Sequence, residues 1–557
     1  MVGLSKNGML ITNICLILLS IALAVLFLMF PYIKEKNKPS LKEYLLNNKD
    51  RIFVSALLLV GFVSRLAFLD LLPGGLNQDE ASAGYDAYAI MKYGIDRNGN
   101  PYPVHLVSWG SGQNALYSYI CIPMIFILGV NEISLRLPMA IIGCVSLYVL
   151  YKILNKRFNS KTTIFGLFFL VICPWHIMKS RWGLESNLFP DLVFIGTYFL
   201  FEYLSGKKLR YLIISSIILG LSAYSYGTSY FFLFFFVIGY LIYLLIRKEI
   251  TIKHSIITLS IIGVISIPII LFLYVNLFYK ETINFLWFSI PKLNVDRFQD
   301  VTNIYSDSFF ESAKENMKNA LYLLFNQYDG LPWNGIPYFG HVYLISIPFA
   351  LIGLFNKNEK NKSLLWIFRI WLIVAVLMLL IVSPNTNRIN IIFFPIIVFA
   401  IFGLVELFEL SKKFEKILIP SYMIFYLVFS SYYATEWNNN LKANFYYGLG
   451  DSITFVDQME NKNKVFVSSN VNMPYIFVLY YTEYDVNEYI ETVSYYNENG
   501  AFEMVKSFGD YNFYLPYNIV KGNVYIVSVY DNTYEGVDLS SYNVTYFGYF
   551  YVIDARK

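Results

Sequence analysis

The chain has 557 residues, of which 56% are hydrophobic and 15% are charged, and its mean hydropathy is +0.49. This composition excludes a soluble globular protein of this length and indicates a polytopic membrane protein. The formal net charge is only +4, and the basic residues are spread over many short connections, which excludes a nucleic-acid-binding face.

Apolar stretches near the ~20 residues needed to cross a bilayer recur along the chain, and we count about twelve of them. The first lacks a small-residue cleavage site and is followed by basic residues, so we interpret it as a membrane helix and not as a secretory signal. The predicted spans are 9–30, 52–70, 132–152, 162–178, 187–204, 210–227, 229–246, 255–279, 341–356, 363–383, 389–410 and 415–433.

The distribution of basic residues predicts the orientation, because lysine and arginine are retained on the cytoplasmic side. They lie in every second connection, namely 34–51, 152–161, 207–210, 247–253, 357–362 and 412–416. Both chain ends are therefore predicted to lie outside, with three longer connections, 71–131, 173–187 and 280–340.

The first outer connection, 71–131, contains two stretches that we interpret as helices on the outer membrane face. One is polar and runs from Asp79 to Lys92, and the other, Ala115 to Leu128, is too short to span. The third connection, 280–340, holds the turn-rich segment Asp329 to Asn334, which we interpret as a lid over a substrate cavity.

The chain changes character near residue 435, which divides it into a membrane domain, 1–435, and a terminal domain, 436–557. The terminal part has 15 acidic and 7 basic residues, as expected outside the cell. Apolar or alternating runs predict strands at 465–468, 524–530 and 544–553, and helices are predicted at 473–481 and 500–508. The fold class predicted is thus a polytopic α-helical membrane protein with a small C-terminal extracytoplasmic α/β domain.

Charged side chains are scarce within the apolar spans and collect at the predicted outer helix ends. A carrier usually keeps ionisable groups near the middle of the bilayer, whereas charges at one face favour a reaction at the membrane surface. The four cysteines lie in apolar runs without metal-ligand spacing, and His176 has no second histidine at a suitable distance, so we predict no metal and no cofactor.

Several short motifs resemble the GT-C superfamily of membrane glycosyltransferases, in particular protein O-mannosyltransferases, the lipid A aminoarabinose transferase and their bacterial relatives. The resemblance covers roughly residues 50–410. The motifs are Asp79-Glu80, Leu135-Arg136-Leu137-Pro138, Pro174-Trp175-His176, Ser180-Arg181-Trp182 and Asn387-Arg388.

The resemblance implies transfer of a sugar from a polyprenyl-phosphate donor to a protein, glycan or lipid acceptor at the outer face of a bacterial cytoplasmic membrane. Asp79 would be the general base, with Glu80 in support, since a carboxylate can take the acceptor hydroxyl proton. The pair also fits a helix start capped by Asn77, and both interpretations can hold together. The candidates for the donor phosphate are the cations Arg181, Arg388, Lys179 and Arg136, each of which could instead anchor a helix at the interface.

A further set of side chains is predicted to contact the acceptor or the sugar. Tryptophans could also form an aromatic belt, and Glu185 could pair with Arg181 if that stretch were helical. The candidates are Glu185, His176, Trp182, Asp329 and Trp333.

Two other functions remain open from the sequence, a transporter or flippase of an amphiphile and a membrane scaffold. The glycosyltransferase mechanism requires Asp79, Arg181 and Arg388 to converge on one cavity that opens to lipid and to the outside. A transporter predicts polar residues along a path through the membrane instead.

Overall fold

A computed structural model describes residues 6–35, 39–295, 302–303, 308–357 and 361–556. Parts of the predicted connections 34–51, 280–340 and 357–362 lie outside the described residues.

Apolar helices form a bundle around one large buried core, and within the described residues eight are long and apolar enough to cross a bilayer. They are Lys6–Lys34, Glu132–Arg157, Glu185–Gly206, Ser229–Ile246, Ile252–Leu277, Lys362–Ile381, Thr386–Leu410 and Lys412–Asn444.

Four further bundle segments complete the pattern expected from the sequence. Helix Lys49–Leu66 precedes the first long connection, and three segments are short and apolar: Ser160–Val171, Leu209–Tyr224 and Leu344–Leu354. Each predicted span therefore coincides with a helix, and the polytopic helical fold is confirmed. The number of helices that cross the bilayer stays a prediction.

The first long connection contains both predicted helices, Gln78–Tyr93 and Leu116–Leu128, each ended by a glycine with positive φ. Between them lies the hairpin His105–Leu106/Gln113–Asn114. The third connection contains a second hairpin, Ile283–Phe285/Phe288–Ile290, and helix Phe309–Asn326. Two short helices, Leu41–Asn47 and Pro174–Lys179, lie in other connections.

The C-terminal part folds around a seven-stranded mixed sheet, which we call the sheet domain. Strand Val465–Val467 is parallel to both of its neighbours, and the other pairs are antiparallel. In spatial order the strands are Asn543–Phe547, Phe550–Asp554, Val524–Ser528, Val465–Val467, Tyr511–Asn512, Val505–Phe508 and Ser494–Tyr495. The helices packed with them are Leu449–Asp457, Pro474–Tyr481 and Val486–Thr492.

Two predicted elements of the sheet domain differ from the structure. The helix predicted at 500–508 is wrong, because Val505–Phe508 is a strand whose end residues are buried while Lys506 is exposed. The single run 544–553 is a hairpin that turns at Gly548, which has φ +55°. Both stretches are short and apolar, a pattern that does not separate strand from helix or one strand from two.

The sheet domain packs against one end of the bundle, which we call the sheet-domain side. Helix Pro474–Tyr481 lies on helix Gln78–Tyr93, and the two share an apolar core. Tyr85 donates to the Tyr484 carbonyl at 2.9 Å, and Tyr480 donates to the Asn131 carbonyl at 2.9 Å. These contacts fix the first connection between the bundle and the sheet domain.

Candidate active site

A cavity of about 300 Å³ lies where the bundle end, the first connection and the sheet domain meet. Carboxylates, amides and aromatic rings face one another across it, a combination suited to polar ligands with ring faces. The lining residues include Asp79, Trp109, Gln113, Glu185, Ser186, Asn387, Asn472, Met473 and Phe502.

The two adjacent acids Asp79 and Glu80 point in different directions from the start of helix Gln78–Tyr93. The Asn77 side chain accepts the Asp79 amide N–H at 2.9 Å, and the Asn77 N–H donates to Glu80 Oε2 at 3.2 Å, which forms a capping box. Because successive helical residues are about 100° apart around the axis, only one acid of the pair faces the cavity. That residue is Asp79.

Glu80 is fully buried and engaged by the protein itself. Arg136 Nε donates to Glu80 Oε1 and Arg136 Nη2 donates to Oε2, both at 2.8 Å, while the Gly183 N–H donates to Oε1 at 2.8 Å. Neither acid nor cation is exposed. Glu80 and Arg136 therefore lie behind the cavity wall, and neither lines the cavity.

Arg136 and Arg181, both predicted at the donor phosphate, hold the chain segment that precedes Asp79. Arg136 donates to three backbone carbonyls and Arg181 to four, and Arg181 is 3% exposed. Carbonyls past a helix end have no intrahelical partner, so the two guanidinium groups replace those bonds. The seven carbonyls belong to Ser64, Ala67, Phe68, Leu69, Leu72, Pro73 and Gly75.

A second cavity, of about 510 Å³, is mostly apolar and lies between helices Lys49–Leu66 and Lys412–Tyr432. Val60, Val63, Phe429 and Arg181 are among the residues that line it. Asp79 and Arg181 therefore line two different cavities, and the single convergence point expected from the sequence is not formed by these two residues.

His176 and Lys179 belong to a buried polar network inside the bundle. Lys179 pairs with Asp191, His176 Nε2 lies 3.5 Å from Asp191 Oδ1, and Arg65 Nη2 lies 2.8 Å from His176 Nδ1. All four side chains are at most 3% exposed. The network connects two bundle helices, Lys49–Leu66 and Glu185–Gly206, with the short helix Pro174–Lys179, and it does not line the candidate cavity.

Arg388 is half-buried at the start of the bundle segment Thr386–Leu410, next to the cavity-lining Asn387. Its Nη1 donates to the Ser383 carbonyl and hydroxyl. Among the described residues, its Nε and Nη2 have no hydrogen-bond partner, so this guanidinium keeps donors for a ligand.

The segment predicted as a lid is anchored at several points. Asp329 accepts the N–H of Leu331 and of Thr386 and the side-chain amide of Asn334, and the Trp437 indole donates to the Pro332 carbonyl. Asp329 thus links the third connection to the helix start that carries Arg388.

Trp182 and Trp333 pack together with Phe445, with ring centroids 5.7 to 6.4 Å apart. Trp182 is 3% exposed. Both rings lie in this aromatic cluster, which is not part of the cavity lining.

Glu185 is the second carboxylate of the cavity and stands at the start of helix Glu185–Gly206. Its Oε2 accepts the backbone N–H of Asn114. Arg181 lies in the turn before this helix, and no ion pair joins it to Glu185 among the described residues. Nor does any group of three or more histidine, cysteine or acidic side chains there have the geometry to hold a metal ion.

Several buried polar atoms at the cavity have no hydrogen-bond partner among the described residues. Ser186 Oγ and Asn387 Oδ1 belong to lining residues, and Asn390 Oδ1 and Asn187 Nδ2 lie beside them in sequence. A buried polar group without a partner is costly, so these atoms destabilise this part of the wall unless a water molecule or a ligand reaches them.

The surroundings of Asp79 favour its protonated form. Burial and the neighbouring Glu80 carboxylate raise the pKa of Asp79 to about 6, while Arg97 and a hydrogen bond from Trp109 oppose the rise. A carboxyl group with a pKa near neutrality can both accept and release a proton under physiological conditions.

This raised pKa makes Asp79 destabilising once it is ionised. The folded protein binds the Asp79 proton more tightly than the unfolded chain, in which the reference pKa of Asp79 is 3.8. Proton binding by Asp79 therefore stabilises the folded protein fully below pH 3.8, and this stabilisation is lost as the pH rises through about 6. We expect Asp79→Asn to be more stable than the wild type by about 2 to 3 kcal/mol at neutral pH and to lose this advantage near pH 4. Thermal unfolding across this pH range measures the difference.

The exposed Glu311, in the third connection, provides the control. Glu311→Gln should show no such pH-dependent gain, and an equal gain for both variants would contradict a raised pKa at Asp79.

Three groups of residues near the site were missed by the sequence interpretation. Arg97 and Asp191 are charged residues that the structure buries, and the sheet domain contributes Asn472, Met473 and Phe502 to the cavity wall. Met473 has φ +53°, an uncommon left-handed conformation for a non-glycine residue, but no sequence pattern indicates it.

The chain is similar to known proteins in part of its sequence and in its fold. Residues 115–274 match the family model of dolichyl-phosphate-mannose-protein mannosyltransferases. The crystal structure of ArnT from Cupriavidus metallidurans bound to undecaprenyl phosphate has a TM-score of 0.53 at 10% identity, covering 90% of this chain and 97% of ArnT. Its apo form has a TM-score of 0.53 at 11% identity, covering 91% and 98%.

A third similar structure is the archaeal oligosaccharyltransferase AglB from Archaeoglobus fulgidus in complex with an inhibitory peptide and a dolichol-phosphate. Its TM-score is 0.43 at 12% identity, and the match covers 79% of this chain and 64% of that protein. No curated protein matches the chain in sequence.

The chain therefore has the fold of ArnT over nine-tenths of its length, and residues 115–274 match the mannosyltransferase family model. Both findings confirm the resemblance to GT-C membrane glycosyltransferases that the motifs indicate.

Proposed function

We propose that the protein transfers a sugar from a polyprenyl-phosphate donor to an acceptor hydroxyl on the extracytoplasmic side of the cytoplasmic membrane. The observation that carries the proposal is the Asp79 carboxylate, which lines a polar cavity between the bundle end and the sheet domain. The undecaprenyl phosphate bound to ArnT supports a lipid-phosphate donor for this fold.

In this reaction Asp79 takes the proton of the acceptor hydroxyl while the acceptor oxygen forms a bond to the anomeric carbon. The bond between that carbon and the phosphate oxygen breaks, and the lipid phosphate leaves with the electron pair. General-base assistance requires the ionised carboxylate, so the rate should fall as the pH drops below about 6. Glu80 and Arg136 hold the helix start that carries Asp79.

The acceptor and the transferred sugar would bind among the amides and rings of the cavity. Glu185, Asn387 and Asn472 offer hydrogen bonds, and the Trp109 and Phe502 side chains offer ring faces. His176, Trp182, Asp329 and Trp333 act behind this wall, through the networks in which they are buried or anchored.

The lipid part of the donor fits the apolar cavity at Arg181. Its walls of aliphatic and aromatic side chains suit a polyprenyl chain, which can enter such a groove from the equally apolar bilayer core without exposure to water. Four of the basic connections, 152–161, 207–210, 247–253 and 412–416, are described in full. Connection 152–161 lies at the far end of helix Glu132–Arg157, whose start contacts the sheet domain through Asn131, and this supports an extracytoplasmic location of the cavity.

For the donor phosphate we propose Arg388, whose Nε and Nη2 are available. We expect Arg388→Gln to raise the KM for the donor about 10- to 100-fold, since a charge-assisted hydrogen bond contributes ~1.5 to 3 kcal/mol. Steady-state kinetics at varied donor concentration measure this. Arg247→Gln, at the far end of helix Ser229–Ile246, is the matched control. An unchanged KM in Arg388→Gln would assign the phosphate to another group.

The function itself is tested with purified protein in lipid vesicles. Polyprenyl-phosphate donors with different radiolabelled sugars are supplied together with membrane acceptors. We expect one donor to be cleaved, with release of polyprenyl phosphate and label in an acceptor. Movement of an intact donor across the bilayer without cleavage would establish the transporter alternative, and no use of any donor would contradict the proposal.

A further inference from the structure

Trp109 stands at the junction of three elements, in the turn between the strands of the first hairpin. Trp109 and Asp79 line the same cavity, the Trp109 side chain is 7% exposed, and its hydrogen-bonding group lowers the pKa of Asp79. The turn is closed by the N–H groups of Gly110 and Gly112, which donate to the Val107 carbonyl at 3.0 and 3.1 Å. The only polar atom of this side chain is thus directed at the proposed base.

The sheet domain holds this turn directly. The N–H of Glu503 donates to the Trp109 carbonyl at 2.8 Å, and Gly110 forms an isolated bridge with Phe502. Gly110 has φ +102°, and a Cβ there would lie 2.2 Å from the Gly500 carbonyl oxygen, so the two backbones approach as closely as glycine allows.

The carboxylate of Glu503 connects this contact to the third long connection. Its Oε1 accepts the side-chain amide of Asn294 at 2.7 Å and the N–H of Asn499 at 3.0 Å. The hairpin turn that carries Trp109 is therefore held by the sheet domain, and the same Glu503 also binds Asn294 of the third connection.

Arg97 supports Trp109 from the opposite side. The guanidinium carbon lies 4.6 Å from the centre of the indole ring, and Arg97 is 1% exposed. Its Nη2 donates to Ser82 Oγ at 2.7 Å but lies 3.7 Å from Asp86 Oδ2, too far for a hydrogen bond. Among the described residues, Nε and Nη1 have no partner.

A chain of hydrogen bonds also leads from Arg97 back to the start of the helix. Ser82 Oγ donates to Gln113 Oε1 at 2.7 Å, and the Gln113 amide approaches the Asp79 carbonyl at 3.5 Å. Arg97 is thus connected to Asp79 by two routes, through the Trp109 ring and through Ser82 and Gln113 to the Asp79 backbone carbonyl.

We propose that Trp109 and Arg97 are positioning residues that orient and stabilise the ionised Asp79 carboxylate, and that the sheet domain completes the active site by holding Trp109 in place. The inference rests on the proposed function for its consequence in catalysis, but the geometry of Asp79, Trp109 and Arg97 does not depend on the reaction.

Arg97 is the one cation among the groups that face Asp79 within the described residues. Glu80 lies on the same helix, Glu185 on the neighbouring bundle helix, and Tyr446 on the segment that leads to the sheet domain. The groups that face Arg97 in turn are Asp86, Asp96, Tyr475, Tyr489, Tyr495 and Glu503. Loss of the Arg97 charge therefore leaves only acidic or neutral groups around Asp79.

The variants Trp109→Phe and Arg97→Gln test the proposal. Trp109→Phe keeps a ring but removes the N–H donor, and Arg97→Lys restores the charge. Matched controls are Trp287→Phe, whose ring is 67% exposed, and the exposed Arg210→Gln. We expect Trp109→Phe and Arg97→Gln to lower kcat by about 10-fold or more with little change in the donor KM, because orientation of the base affects the transition state.

The pH dependence distinguishes positioning from general damage to the fold. In Trp109→Phe and Arg97→Gln, the fall of kcat at low pH should begin about half to one pH unit higher than in the wild type. In Arg97→Lys it should begin near the wild-type pH, and the control variants should show no shift. If the pH dependence of kcat were unchanged in both variants while Asp79→Asn was inactive, the positioning role would be overturned and the proposed function would stand.

A second measurement does not need activity. The stability difference between each protein and its Asp79→Asn derivative stops growing at the pH that equals the folded-state pKa of Asp79. We expect this pH to rise in Arg97→Gln and Trp109→Phe relative to the wild type. Equal values in all three proteins would overturn the inference even if no donor is ever cleaved.

Discussion

Replacement of Asp79 by asparagine is expected to reduce sugar transfer by about 10²- to 10⁴-fold, the usual contribution of a general base. Asparagine keeps the size of the side chain and its place at the cavity but cannot accept the acceptor proton. The loss should appear in kcat, with the KM for the donor nearly unchanged, because the donor phosphate is proposed to bind at Arg388. Single-turnover cleavage of the labelled donor measures it.

The folded state should survive this change, since Asp79 is not part of the ion pairs that hold the segment from Ser64 to Gly75. The thermal stability of the Asp79→Asn variant near neutral pH should even exceed that of the wild type, because the ionised Asp79, whose pKa is raised, destabilises the wild-type fold. Glu311→Gln is the control for removal of a carboxylate. Activity within a factor of two or three of the wild type would remove Asp79 from the base role.

Replacement of Arg136 by methionine is expected to give the largest loss of stability, about 3 to 5 kcal/mol, because it leaves Glu80 buried without its partner. Both side chains are fully buried, and Arg136 also supplies donors to the Leu69, Pro73 and Gly75 carbonyls. Thermal or denaturant unfolding in detergent measures the loss. Activity should fall in parallel, because the same contacts place the start of the Asp79 helix.

The surface pair Arg556 and Asp554 provides the comparison. Their 2.8 Å contact is partly exposed, so Arg556→Gln should cost less than about 1 kcal/mol. The double variant Glu80→Leu/Arg136→Met should recover part of the loss, since no unpaired charge remains buried. If Arg136→Met cost no more than Arg556→Gln, the pair would not be a structural anchor.

Much of the architecture follows from local sequence. The apolar lengths predict the bundle helices, and the polar stretch after Asn77 predicts helix Gln78–Tyr93, because capping residues and hydrophobic length are properties of adjacent residues. The prediction of Asp79 at a cavity rests on the same local signal, a carboxylate at a helix start next to a bilayer boundary. The strands at 465 and 524 were predictable from their continuous apolar runs.

The partners of the cations could not be predicted in the same way. Arg181 and Arg388 are both arginines at helix ends, yet one is saturated by backbone carbonyls and the other is not. That difference depends on which chain segment passes within hydrogen-bonding distance, a long-range property. For the same reason the ion pair of Lys179 with Asp191 and the stacking of Arg97 on Trp109 had no sequence signal.

The contribution of the sheet domain to the cavity could not be predicted from composition either. Phe502 and Met473 are ordinary apolar residues in sequence, and the helix predicted at 500–508 was wrong. The packing of helix Pro474–Tyr481 on helix Gln78–Tyr93 brings Met473 to the cavity, and the bridge with Gly110 brings Phe502 there.

The two arginines that saturate the carbonyls between Ser64 and Gly75 also imply an order of assembly. Asp79 leaves the ribosome long before Arg136 and Arg181, so the segment ahead of it has no donors for its carbonyls until later helices have been inserted. The contacts of Trp109 with residues 502 and 503 form later still, because these residues are made after all the helices of the bundle. The surroundings proposed for Asp79 are therefore complete only after the sheet domain has been made.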